Sequence, residues 1–278
     1  MKTLFMRFPE GRAKALTLSY DDGVEQDLHL MEILDRYGLK ATFNLISGCF
    51  APEDKVYPAG TIHRRLTASK VAEAYGKNGH EVAVHSLTHP FLETLPAANG
   101  AYEIVRDREN LEKMFGVIVR GMAYPMGTFS DEVVSVLRSC GIAYARTTVS
   151  TEKFDIPTDW LRLPATCHHK NPNLMPLAQK FLNAPENKKP MLFYLWGHSY
   201  EFEADGNWDV IEKFAELTGG KDSIWYANNL EIYDYIADFK RLYCSVDGSR
   251  MHNPTNRTLW FLYNSKIVSI APGETISL

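Results

Sequence analysis

The sequence predicts an α/β protein built on a parallel sheet, and three observations predict it. Short apolar or alternating runs alternate with segments of helical period; four of those helical segments end at a glycine and pass straight into the next run; and the candidate functional groups sit just after strands. Residues 15–20 set Leu16, Leu18 and Tyr20 against Thr17 and Ser19, the two-residue period of a strand. Residues 25–37 space Leu28, Met31, Ile33, Leu34 and Tyr37 as a helix, with Gly38 as its stop. Residues 41–46 are the next strand, and a helix from about residue 67 ends at Gly79 before the strand 81–85. A third helix over 99–115 ends at Gly116 before 117–124, and a fourth over 130–140 ends at Gly141 before 142–146. Unit lengths vary too much for a solenoid. Further on, 161–167 and 191–196 read as buried strands and 229–242 as an amphipathic helix. Residues 170–190, with four prolines, read as a surface excursion. From residue 245 the character changes: 259–263 and 266–270 flank Asn264-Ser265 as a hairpin, giving a main domain over 1–244 and a small β appendage over 245–278 packed on it.

Composition narrows the function. Of 278 residues, 45% are hydrophobic and 23% charged, which excludes a disordered, collagen-like or coiled-coil chain. A net charge of −4 provides no cationic field for nucleic acid. No apolar run approaches the roughly 20 residues of a membrane span. Before Arg7 the apolar stretch is only residues 4–6, short of a signal-peptide core, so the expected location is the cytoplasm. Cys49, Cys140, Cys167 and Cys244 lack CxxC or CxxH spacing and read as reduced thiols.

Three strand ends carry chemistry, the expected place in a parallel α/β protein. Asp21-Asp22-Gly23 offers adjacent acids able to divide cation binding from proton transfer, or else an Asp-Gly turn with a helix-capping Asp. His85-Ser86-Leu87-Thr88-His89 places two imidazoles four apart; on a helical turn both fall to one side, suiting two ligands of one zinc. A strand-end carboxylate completes a set with an open coordination position. His198, in Leu195-Trp196-Gly197-His198, is placed to donate a proton to a leaving group, or is a hydrogen-bonded core histidine.

These residues together resemble the polysaccharide deacetylase superfamily with its NodB-type domain, carbohydrate esterase family 4. Leu18-Ser19-Tyr20-Asp21-Asp22-Gly23 is similar to its TFDDG motif, His85-Ser86-Leu87-Thr88-His89 matches HSxxH, and Trp196-Gly197-His198 is similar to LxH, over roughly residues 12–240. The resemblance implies a distorted (β/α) barrel that hydrolyses an N- or O-acetyl group from a carbohydrate. Carried over by position, it implies that Asp22, His85 and His89 bind a divalent metal (zinc, or Co2+, Ni2+ or Mn2+), that Asp21 is the general base and that His198 is the acid. Relatives in the superfamily also imply a small-amide substrate as an alternative.

The chain departs from the pattern at informative places. The RxPY motif falls on Ala123-Tyr124-Pro125-Met126, so the arginine that restrains the base is absent; Arg146, Arg162 or another cation is left to replace it. Met126 keeps the backbone N–H that shares the oxyanion. Tyr124, Trp160 and Trp196 are further candidate substrate contacts, with Trp196 in place of the leucine lining the acetyl pocket. The DxxDW motif is approximated by residues 155–160 with one insertion, so that Asp155, Asp159 or neither is the partner of His198. His168 and His169 are candidate substrate contacts or a solvated loop pair; His29, His63, His80 and His252 read as structural. Two other readings compete. Gly197-His198-Ser199 begins like a nucleophile elbow, though Glu201 stands where its last glycine belongs. The missing arginine also fits a decayed, carbohydrate-binding domain.

Overall fold

The computed structural model describes residues 4–278. Its strands are β1 (Leu4–Arg7), β2 (Lys14–Asp21), β3 (Ala41–Leu45), β4 (Glu81–Val84), β5 (Gly121–Ala123), β6 (Tyr144–Ser150), β7 (Leu163–Ala165), β8 (Cys167–His168), β9 (Met191–Gly197), β10 (Ile224–Tyr226), β11 (Tyr243–Cys244), β12 (Arg250–His252), β13 (Leu259–Tyr263), β14 (Lys266–Ile270) and β15 (Thr275–Ser277). Its helices are α1 (Gln26–Arg36), α2 (Ala68–Ala74), α3 (Ala97–Phe115), α4 (Asp131–Ser139), α5 (Leu174–Asn183), α6 (Tyr200–Ala204), α7 (Asp209–Thr218) and α8 (Asn229–Phe239). Among the described residues no helix is long and apolar enough to cross a membrane, and all four cysteines are free thiols.

Parallel pairing orders the main sheet β7-β6-β5-β4-β3-β2-β9-β8. Only Thr166 separates β7 from β8, so residues 163–168 pair with β6 through their first part and with β9 through their second. The sheet thereby closes into a barrel. It is a distorted one: β3 covers only the second half of β2, and β10 pairs with the first half. Gly38, Gly116 and Gly141 stop helices with positive φ, the conformation that ends a helix at low cost, whereas α2 already ends at Ala74 and Gly79, also at positive φ, lies in the turn before β4.

Strand alternation sorts the barrel into two environments. Leu16, Leu18, Tyr20, Phe43, Leu45, Phe193 and Leu195 join the apolar layer under the helices. The opposite faces carry Thr17, Ser19, Asp21, Thr42, Asn44, Tyr144, Arg146 and Tyr194, whose side chains meet across the lumen. Tyr144 and Thr42 hydroxyls donate to Glu81 at 2.8 Å, and the Asn229 amide donates to the Tyr194 hydroxyl at 2.6 Å. Burial pushes the Glu81 carboxyl up to about 7. This lumen is a polar ladder whose upper rungs are the site residues.

Two expectations change. Residues 170–190 are not a surface excursion: α5 buries Leu174, Leu177, Ala178 and Phe181, a one-sided helical stripe, and Pro176 falls in its first turn, where no N–H is needed. The run 161–167 is broken by the 3₁₀ turn Trp160–Arg162. The hairpin β13–β14 forms with Tyr263 opposite Lys266, and Asn264 and Ser265 both take the left-handed backbone of a two-residue primed turn. β1 from the N-terminus pairs with β13, and β11, β12 and β15 form a second small sheet, so the C-terminal sheets draw strands from both sides of residue 244.

Candidate active site

The site occupies the carboxyl ends of β2, β4, β6 and β9. Asp21 is the last residue of β2, 3% exposed. Its Oδ1 accepts from the Asn44 amide at 2.8 Å and its Oδ2 from Arg146 Nη2, which reaches across the lumen from β6. His85 Nε2 and His198 Nε2 each lie 3.8 Å from the same Oδ2. Burial works to raise the Asp21 carboxyl, but the charges of Arg146, His85 and His198 prevail and hold it below its ordinary value. Arg146 therefore takes the place of the missing third-motif arginine. The register explains how: Ala123 on β5 pairs directly with Arg146 on β6, so the guanidinium has moved one strand sideways at the same level. Arg162 is instead engaged by Asp131 and Asp159.

Asp22, His85 and His89 offer ligand atoms all within 4.8 Å of one another. Asp22 has a left-handed backbone (φ 84°), and its Oδ1 lies 3.9 Å from His85 Nε2. His85 is oriented from behind. Its Nδ1 donates to the Ala123 carbonyl at 2.8 Å, leaving Nε2 as a lone-pair donor on the side of the cluster. His89 Nε2 lies 3.2 Å from His85 Nε2, and burial together with the His85 charge pushes His89 down to about 4. Two neutral imidazoles and an ionised carboxylate fit a divalent cation of the zinc type. The HSxxH segment is a loop and not the helical turn assumed from spacing: Ser86 and His89 have φ of 63° and 61°, and the His89 N–H donates to Ser86 Oγ at 3.1 Å. Asp107 of α3, fully buried, accepts from the backbone N–H groups of His85 and Ser47, fixing the start of that loop.

His198 follows β9, and the carboxylate that holds it is Glu201, 3.3 Å from Nδ1 and one turn further along the chain. Burial lowers the His198 value, but the Glu201 bond and the charges of Asp21 and Asp22 outweigh it and raise the imidazole above its ordinary range. The candidate partners Asp155 and Asp159 are placed elsewhere. Asp159 caps the turn Trp160–Arg162 and pairs with Arg162, and both acids line a cavity of about 390 Å³ against Leu192 and Tyr194. An i, i+3 acid after a strand-end histidine was a signal available in the sequence.

The remaining candidates divide. His168 and His169 do reach the site: His168 Nε2 is 3.1 Å and His169 Nε2 3.3 Å from Glu201 Oε2. His168, His198 and Glu201 make a second cluster of metal-capable groups. Yet His168 Nδ1 accepts the Lys170 N–H at 3.1 Å, so a neutral ring carries its hydrogen on Nε2 and donates to Glu201. His169 is a packed residue, stacked on Phe202 at 4.1 Å and on Tyr20 at 5.8 Å; a Cβ at Gly197 would fall 1.9 Å from its Nδ1, so that position needs glycine. Trp196 stacks on the Arg146 guanidinium at 4.5 Å and meets His168 edge-on at 4.4 Å. Met126 is at the rim, 52% exposed with φ of 57°. Tyr124 is not a substrate contact, because its buried hydroxyl donates to the Leu161 carbonyl at 2.7 Å. Trp160 packs edge-on against Tyr233 of α8. Ser199 is fully buried and donates to Asp27, which removes the nucleophile-elbow reading. His63 was missed: its Nε2 donates to Asp22 Oδ2 at 3.0 Å and its ring meets Tyr200 edge-on at 4.9 Å, contacts that no local sequence signal announces.

A closed parallel barrel with an Asp-His-His set, a restrained carboxylate and a carboxylate-held histidine at its strand ends is the architecture of metal-site α/β hydrolases. Residues 9–145 match the polysaccharide deacetylase family model, and the chain belongs to that family. Among relatives, a chitooligosaccharide deacetylase of Sinorhizobium fredii is 27% identical over 157 residues, 54% of this chain and 61% of that protein. An uncharacterized protein of Bacillus subtilis is 26% identical over 88 residues, 32% of this chain and 28% of that one. The chain thus spans less than two thirds of either relative. Two solved structures share the fold. A Mycobacterium smegmatis protein assigned as a polysaccharide deacetylase has a TM-score of 0.58 at 16% identity, covering 86% of this chain and 96% of that one. A family 4 carbohydrate esterase of Streptomyces lividans, in complex with acetate, has a TM-score of 0.50 at 17% identity, covering 77% and 92%.

Proposed function

We propose that the protein is a metal-dependent hydrolase that removes an acetyl group from an N- or O-acetylated carbohydrate. One observation carries this reading: Asp21, restrained by Arg146, lies 3.8 Å from His198 on one side and beside the Asp22–His85–His89 set on the other. Asp22, His85 and His89 would hold a divalent cation, which when bound would supply Lewis-acid chemistry to the hydrolysis. Asp21, kept ionised by Arg146, takes a proton from the water that adds to the carbonyl carbon. The Met126 backbone N–H donates to the developing oxyanion. His198, kept protonated by Glu201, gives its proton to the departing nitrogen or oxygen as the C–N or C–O bond breaks, leaving acetate and an amine or alcohol. The deacetylase name of the Sinorhizobium relative supports the substrate class. Arg146 argues against the decayed-domain reading, because Asp21 keeps a cationic partner.

Acetate release from a panel of N- and O-acetylated mono- and oligosaccharides, with zinc present, tests this reading. Turnover on at least one is expected, and metal bound without turnover on any of them, or on simple linear amides, would sink it. The acid's identity has its own check. Since Glu201 raises His198, activity is expected to persist into alkaline pH and to fall as pH rises through the imidazole value. Glu201→Gln removes that support, so the alkaline limb of the kcat profile is expected to move to lower pH, with roughly tenfold or greater loss at pH 8. An unmoved limb would exclude Glu201 as the partner.

A further inference from the structure

Asp27 in the first turn of α1 is fully buried and its carboxylate is saturated by donors from three separate segments. Oδ1 accepts from Ser199 Oγ at 2.5 Å, in the loop between β9 and α6. Oδ2 accepts from the Tyr75 hydroxyl at 2.5 Å, just past α2, and from the Val24 N–H at 3.2 Å, in the turn that follows Asp21 and Asp22. Ser199 and Tyr75 are themselves buried. A buried carboxylate is costly unless its bonds are made, and an apolar side chain would pack α1 against the barrel more cheaply. What this carboxylate adds is direction. Ser199 is the neighbour of His198, and Val24 is three residues beyond Asp21, so one side chain spans from the turn carrying the base to the loop carrying the acid.

Resting on the hydrolase reading above, we propose that Asp27 is a positioning residue that, acting through Ser199, sets the separation between the His198 acid and the Asp21 base. It touches neither of them. Its neighbour Gln26 extends the same bracing outward: the Gln26 amide donates to Glu203 of α6, which also accepts from Arg64. The His198 loop is therefore tied to the Asp21 turn from beneath by Asp27 and beside it by Gln26. The Ser199–Asp27 bond is the inner tie and the one adjacent to the acid.

The test compares Ser199→Ala and Asp27→Asn with Tyr235→Phe, which removes a buried hydroxyl bonded to the Arg7 carbonyl at 2.7 Å, far from the site. For zinc-loaded protein, Ser199→Ala is expected to lower kcat about 10- to 100-fold, the scale of a sub-ångström to 1 Å misplacement, with KM and bound zinc unchanged. Tyr235→Phe is expected to lose thermal stability while keeping kcat. If Asp27→Asn does not fold, Ser199→Ala carries the comparison alone. Wild-type kcat in Ser199→Ala, or a kcat loss in Tyr235→Phe matching its loss of stability, would overturn the proposal. A crystal structure of Ser199→Ala gives a readout that needs no turnover: the His198 ring is expected to leave its place beside Asp21 and Glu201, and an unmoved ring overturns the positioning role. Wild-type protein inert on every acyl substrate would instead reject the hydrolase reading, and the ring position would then decide the positioning claim by itself.

Discussion

Arg146→Ala is expected to lower kcat/KM by about 10²-fold or more and to destabilise the fold by about 3–5 kcal/mol, the cost of stranding one member of a buried ion pair. Arg146 is 1% exposed and Asp21 3% exposed, so water cannot replace the guanidinium. Without it, Asp21 keeps only the Asn44 amide and the two histidines at 3.8 Å, and burial then dominates. The carboxyl rises, and a base that is protonated near neutral pH accepts no proton. The sign of the pH effect on stability follows. Asp21 has a depressed value in the folded protein, so it contributes stability above the unfolded carboxylate value, about 3.9, and that contribution is lost as pH falls through the folded value. Thermal melts of wild type and Arg146→Ala are thus expected to differ most near pH 7 and to converge in acid. Because Ala123 and Arg146 are register partners, Ala123→Arg in the Arg146→Ala background is expected to recover part of the rate. Arg146→Ala with full activity and unchanged melting would remove Arg146 from the site.

His85→Ala and His89→Ala are expected to abolish tight binding of one divalent cation and to lower kcat/KM by about 10³-fold or more, since Lewis-acid stabilisation amounts to several kcal/mol. The readout besides activity is thermal. Zinc at 100 times its Kd adds about 2.7 kcal/mol to the folded state, and both variants are expected to lose that increment. Wild-type affinity is expected to weaken as pH drops, because protons compete with the cation for the imidazole nitrogens of His85 and His89. Asn44→Ala removes an amide that donates to Asp21 and leaves the backbone carbonyl that accepts the Asp22 N–H, so it is expected to leave zinc binding intact. Undiminished zinc binding in His85→Ala and His89→Ala would show that the cation sits elsewhere.

The parts legible in the sequence are those written over short distances. Helix-to-glycine-to-strand units follow from 3.6- and 2-residue periods and from the backbone freedom of Gly38, Gly116 and Gly141. Asp21-Asp22, His85 and His198 are legible because they lie at or just past strand ends, which parallel strands gather on one face, and His89 because it follows His85 in the same short motif. α5 was misread where four prolines obscured the stripe of Leu174, Leu177, Ala178 and Phe181. What only the tertiary structure decided is which group serves which. Arg146 and not Arg162 restrains Asp21, across 125 residues of chain; Glu201 and not Asp155 or Asp159 holds His198; His63 reaches Asp22 from a distant loop; and Trp196 stacks on Arg146. Local periodicity records which way a side chain faces along its own element. The partner it meets is set by barrel closure, and the choice among several equally charged residues is settled by register across strands, which no single segment contains.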